Sequence, residues 1–117
     1  MMNKTLTLLF EKATIKGFAK INGRQSDGYN KGPIVERYSV KNDNNCYTLK
    51  HWGTVILEAN LNNNKINYVY GQSFSDSNAI NSSLSLLGLK GKATYRPKTD
   101  GGFAFNGKLV GTGMNFN

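Results

Sequence analysis

The chain has one cysteine, one histidine, one tryptophan and two prolines among 117 residues, and only seven acidic side chains. A lone thiol, Cys46, cannot close an internal disulfide, so the composition does not describe a small cross-linked secreted scaffold. Zinc needs a clustered set of nitrogen and sulfur ligands, which one His and one Cys do not supply. Asp27, Asp43, Asp76 and Asp100 each fall at a turn or a helix cap, where local backbone chemistry accounts for them without a magnesium site. No metal or other cofactor is expected. Paired carboxylates suited to glycoside hydrolysis are also missing.

Long apolar runs are absent too. At the N-terminus, Lys4 precedes an apolar stretch that stops at Phe10, with Glu11 and Lys12 next. That is shorter than the core of a secretory signal and far short of a spanning helix. The expectation is a soluble cytoplasmic protein with no membrane partner.

What the chain does have is positive charge. Fifteen Lys and Arg residues give a formal charge of +8 and a pI near 9.7. A surplus of that size on a small domain favours anionic partners such as nucleic acid, a ribonucleoprotein or an acidic protein face. At this length one core is expected, so residues 1–117 read as a single domain.

Local patterning points to an α+β fold: a single antiparallel β-sheet with one amphipathic helix, about residues 76–87, packed on it. Thr5 to Phe10 fits either a strand or a helical turn, and Ala13 to Asn22 reads as a strand with a glycine bulge. Ile34 to Lys41 alternates, and the asparagine-rich run 42–45 reads as a hairpin turn. Cys46 to His51 is a strand that continues through Trp52, Gly53 and Thr54 to Ala59, bent at Gly53. Asn62 to Asn64 turns it back into Lys65 to Tyr70. The helix is capped by Ser75 or Asp76, buries Ile80, Leu84 and Leu87, and ends at Gly88. Asn81, Ser82 and Ser85 fall on its outer side. Lys92 to Arg96 and Phe103 to Asn106 form a last hairpin, with Ala93, Tyr95, Phe103 and Phe105 on one face. The glycine-rich tail is either an edge strand or frayed.

Catalytic motifs are weak. His51 could act as a base for Ser73, Ser75 or Cys46 with Asp76 orienting it, but a half-buried His beside Trp52 explains the residue equally simply. Gly23 and Gly28 have P-loop spacing, but Tyr29 and Asn30 stand where Lys and Ser/Thr are required. Gly88 and Gly91 frame a GxxG sequence at a helix end, where a C-cap suffices. Lys16, Gly17 and Phe18 open like the aromatic strand of an RNA-recognition motif, yet Lys20 and Gly23 replace its aromatics. No enzymatic activity is expected.

The candidate binding residues are basic. Lys90, Lys92, Arg96 and Lys98 surround a hairpin containing one acid, Asp100; they read as a phosphate-binding ridge, and a solvated hairpin face accounts for them equally. Arg24, Tyr29 and Lys31 lie in the long glycine-rich loop from Gly23 to Pro33, and loops of that length are often functional.

One stretch carries a resemblance. His51-Trp52-Gly53-Thr54, then Ser73, Ser75-Asp76 and Ala79-Ile80-Asn81, followed by Leu84 and Gly88, resemble small uncharacterised accessory proteins of Gram-positive phages and plasmids. Tyr is commoner than Trp after the His in that pattern, and the match covers only Tyr47 to Gly88. The resemblance implies a mobile-element context, in which small proteins are often counter-defence factors or accessories to DNA transactions. It assigns no catalytic residue. The expected function is a non-enzymatic inhibitor that binds a host defence nucleoprotein in the bacterial cytoplasm, similar in kind to anti-CRISPR proteins. The alternative is a basic module that binds DNA or RNA directly.

Overall fold

Leu6, Leu9, Phe10 and Ala13 repeat at the three- and four-residue spacing of a helix, and they form the buried stripe of α1 (Met2–Lys16). These contacts come from a computed structural model that describes residues 2–24, 32–96, 102–110 and 114–115. The strand expected over Ala13 to Asn22 therefore begins only at Phe18. Gly17 decides the boundary: its φ of +84° is left-handed, and its N–H donates to the Ala13 carbonyl at 2.8 Å. A glycine takes that conformation without a Cβ clash, so the helix stops there.

Five strands follow as a meander: β1 (Phe18–Arg24), β2 (Ile34–Asp43), β3 (Cys46–His51), β4 (Thr54–Asn60) and β5 (Lys65–Val69), each antiparallel to the next. The turn between β2 and β3 is Asn44–Asn45, both at positive φ. A two-residue turn with two left-handed positions matches strand twist and favours Asn and Gly. Trp52 and Gly53 form a second turn of this kind, at φ +52° and +81°, with His51 paired to Thr54. The expected bent but continuous strand is thus two strands joined by a tight reversal.

α2 (Phe74–Leu87) starts two residues earlier than its periodicity suggests. Its N-cap is Ser73, not Ser75 or Asp76, because the Ser73 hydroxyl accepts the Asp76 N–H at 3.1 Å. Gly88 closes the helix in the left-handed conformation, as expected.

The last hairpin, β6 (Ala93–Arg96) with β7 (Gly102–Phe105), has Tyr95 opposite Phe103 and Ala93 opposite Phe105, the register its pattern requires. It continues through a third left-handed turn, Asn106–Gly107, into β8 (Lys108–Leu109). These three strands form a separate sheet and do not extend the first. Their apolar side, with Ala93, Phe103 and Phe105, is buried in the same core as α1 and α2. β9 (Met114–Asn115) returns to pair with β5 as the edge strand of the six-stranded sheet. The fold is α+β as expected, but with two helices and two sheets in place of one of each. No described helix is long and apolar enough to cross a membrane.

Asn81 joins the second sheet to α2. Its amide donates to the Ala93 carbonyl at 2.9 Å and accepts the Ala93 N–H at 2.7 Å, so this side chain pairs with β6 as a neighbouring strand would. Its expected place on the outer side of the helix is corrected accordingly. Asn81→Ala leaves both backbone groups of a buried residue without these partners. A loss of about 1–2 kcal/mol in urea denaturation is expected, with the three-stranded sheet gaining hydrogen-exchange rate first.

Candidate functional site

The β3–β4 turn and the first turn of α2 converge on a cleft of about 570 Å³, whose lining includes Arg37, His51, Trp52, Tyr70, Ser75 and Asp76. His51 is the last residue of β3, and its side chain reaches the helix start on the covered side of the sheet. His51 Nδ1 and Asp76 Oδ1 are 2.6 Å apart, and both residues are 8% exposed. Asp76 Oδ2 accepts the Gln72 N–H at 2.9 Å. Burial pushes the Asp76 carboxyl up, but the His51 hydrogen bond, the Gln72 N–H and the His51 charge outweigh it, leaving Asp76 below its ordinary value. The carboxylate thus holds both the imidazole and the loop entering α2.

Aromatic rings fix the imidazole further. His51 stacks on Tyr38 at 4.3 Å between centroids with 5° between planes, and on Trp52 at 5.6 Å with 28°. The Tyr38 hydroxyl is pushed up to about 12 by burial, opposed by Arg37 and reinforced by Asp76, so it stays protonated. The Arg37 guanidinium lies 5.4 Å from the Tyr38 ring centroid, a cation–π distance. Arg37 is the extra residue where the β1–β2 register shifts between Ile21 and Asn22, and bulges of this kind re-aim side chains.

Trp52 is the anomaly. Left-handed backbone costs an ordinary side chain about 1–2 kcal/mol, and bulky residues are rare there. The other two tight turns use Asn–Asn and Asn–Gly. The Trp52 N–H donates to the Arg37 carbonyl at 2.7 Å, which ties the turn to β2 and holds the strained residue in place.

Of the seven basic and aromatic residues expected to bind, Tyr29, Lys31 and Lys98 lie outside the described residues. Arg24 is exposed at the end of β1 and donates to the Gly32 carbonyl at 3.0 Å. Lys90 and Lys92 are exposed on the connection from α2 to β6, and Arg96 is exposed at the end of β6. Arg24 and Arg96 thus belong to different sheets, Lys90 and Lys92 to the connection leading into the second, and none of the four lines the cleft.

A second basic surface escaped the sequence reading. Residues opposite one another in an antiparallel ladder share a face. Lys20, Ser39, Lys50 and Val55 are one such row, and Phe18, Lys41, Thr48, Glu58 and Tyr68 the next. The core residues Val40, Leu49 and Leu57 have the opposite parity, so both rows lie on the face turned away from the helices. Lys20, Lys41 and Lys50 are exposed there, with no ion pair to any described residue. The far end of this face is acidic: burial, then Glu58 and Asp43, push the Cys46 thiol up. Alternation in β2 was the available signal, but strand register was needed to add Lys20 and Lys50.

Fold and cleft together define a small α+β domain, a six-stranded antiparallel sheet with helices on one face and a polar cleft at its end. No known protein family matches the chain, and no curated protein or solved structure matches it either. Among the described residues, no group of three or more His, Cys, Asp or Glu is placed to hold a metal ion.

Proposed function

We infer that the protein is a non-enzymatic accessory factor of a mobile genetic element, which binds a nucleoprotein of the host's defence machinery in the bacterial cytoplasm. The observation that supports this reading is the open sheet face, where three adjacent strands present Lys20, Lys41 and Lys50 without carboxylate partners among the described residues. A lysine-bearing surface suits a phosphate backbone, whose neutralisation releases counterions and makes binding steeply salt-dependent. Lys90 and Lys92, on the connection from α2 to β6, and Arg96, at the end of β6, add exposed charge elsewhere. A basic inhibitor engages the guide RNA or an acidic protein face; it does not imitate nucleic acid.

The same surface favours a second reading, a module that binds bare DNA or RNA. Pull-down from the host with tagged protein separates the two, because a defence nucleoprotein is recovered with its own subunits. Co-expression with defence systems, scored by phage plating, sinks the first reading if no system is weakened. For either, the triple variant Lys20→Glu, Lys41→Glu, Lys50→Glu is expected to reduce nucleic-acid or nucleoprotein binding by at least about 100-fold at low salt. Its salt slope should fall by about three. Unchanged binding would remove the sheet face from the site.

A further inference from the structure

The tight turn at Trp52–Gly53 does not need a tryptophan. Among the described residues, Asn occupies the first position of both other two-residue hairpin turns, and Trp52 alone places a large aromatic in left-handed backbone. The ring it positions borders the cleft, as do His51, on which it stacks, and Arg37, whose carbonyl accepts its N–H.

His51 is held by stacking on Tyr38 and Trp52 and through Nδ1 by Asp76. Its one remaining polar atom, Nε2, has no described partner, and no buried side-chain nitrogen or oxygen of the described residues is left unpaired, so Nε2 is not fully buried. His51 lines the cleft, and Nε2 is the polar atom it has left to offer there. Arg37 borders the same space and has no ion pair to any described residue. Among the described residues the only carboxylate lining the cleft, Asp76, is engaged by His51 and the Gln72 N–H. A flat aromatic surface, a guanidinium and a fixed imidazole edge thus converge in a space of about 570 Å³, within the range of ligand pockets.

We propose that this cleft binds a single nucleotide, with its phosphate on the Arg37 guanidinium and the Nε2–H of His51 as an imidazolium, and its base against Trp52. Arg pairs with phosphate oxygens through its planar fork, and an aromatic face stacks any base. The ligand is either a free nucleotide or an unpaired, phosphate-bearing nucleotide of a strand. This site faces the helix side of the sheet and does not rest on the lysine face.

Trp52 is the only tryptophan, so its fluorescence reports this site alone. The intact protein is titrated with AMP, adenosine, inorganic phosphate, and a short oligonucleotide with and without a 5′-phosphate. Saturable quenching is expected with AMP or with the phosphorylated oligonucleotide, and which of the two binds more tightly identifies the source. Adenosine and phosphate should each bind at least about tenfold more weakly. Arg37→Ala should weaken binding about 10–100-fold, the loss of a charge-assisted bond. The lysine-face triple variant should leave quenching by AMP unchanged. Trp52→Asn, followed by calorimetry, should melt no lower than the parent and yet fail to bind. The proposal is overturned if no nucleotide or oligonucleotide quenches at millimolar concentration, if Arg37→Ala binds as the parent does, or if inorganic phosphate matches AMP. A Trp52→Asn protein that melts well below the parent would also overturn it, by showing that the ring serves the fold.

Discussion

Asp76→Ala is expected to lower the unfolding free energy by about 2–4 kcal/mol in urea denaturation at neutral pH. The substitution removes the acceptor for two donors at once, His51 Nδ1 at 2.6 Å and the Gln72 N–H at 2.9 Å. Both lose a charge-assisted bond, and for the buried His51 stranding a polar group is the expensive case. A negative side chain in the first turn of α2 is lost as well, and with it a favourable interaction with the helix dipole. Asp76→Asn keeps an oxygen in place without the charge and should recover about half of the deficit.

The pH dependence has a definite sign. The folded-state carboxyl lies below its ordinary value of 3.8, so the unfolded chain binds a proton more readily than the folded one. The stabilisation is therefore complete at neutral pH, begins to fall near the ordinary value, and is lost as pH drops through the depressed folded value. Stability measured from pH 6 downward should decline less steeply for Asp76→Asn than for the parent protein. Parallel acid limbs would show that the carboxylate is not held as described.

Leu84→Ala should be at least as damaging, with a loss of about 3–5 kcal/mol. Leu84 is 1% exposed and stands where α2 meets the second sheet. A Cβ added at Gly91 would lie 3.2 Å from its Cδ1 and 2.6 Å from Phe105 Cζ, so the backbone there is already in close contact with both side chains. Such a site collapses poorly, and the cavity left behind stays open. Leu86, on the same helix but 42% exposed, provides the comparison. Leu86→Ala should change stability by no more than about 0.5 kcal/mol.

Much of α2 could be read from the chain because its signals are local. Apolar spacing and the glycine stop act within a few residues; the start and cap moved, from Ser75 or Asp76 to Ser73, and Asn81 faces β6. The β6–β7 register was legible for the same reason. α1 was ambiguous because Leu6 and Leu8 alternate as in a strand while Leu6, Leu9 and Phe10 fit a helical turn, and only counting Ala13 with the latter extends the helix. The Trp52 turn was missed because a bulky residue at positive φ defeats turn chemistry, which looks for Asn or Gly. Arg37 carried no signal, since its placement in the cleft depends on a bulge between two strands. His51 and Asp76 were visible as a possible pair, but 25 residues separate them.

Composition alone excluded an internal disulfide and set a strong positive charge, and periodicity set the α+β class. These follow from the sequence because they are properties of residues or of their near neighbours. Tertiary structure decided the rest: the second sheet held by Asn81, the lysines of three strands brought onto one face, and the imidazole fixed among Asp76, Tyr38 and Trp52. Each depends on register and packing between distant segments, and a one-residue slip in any strand would turn its side chains to the opposite face.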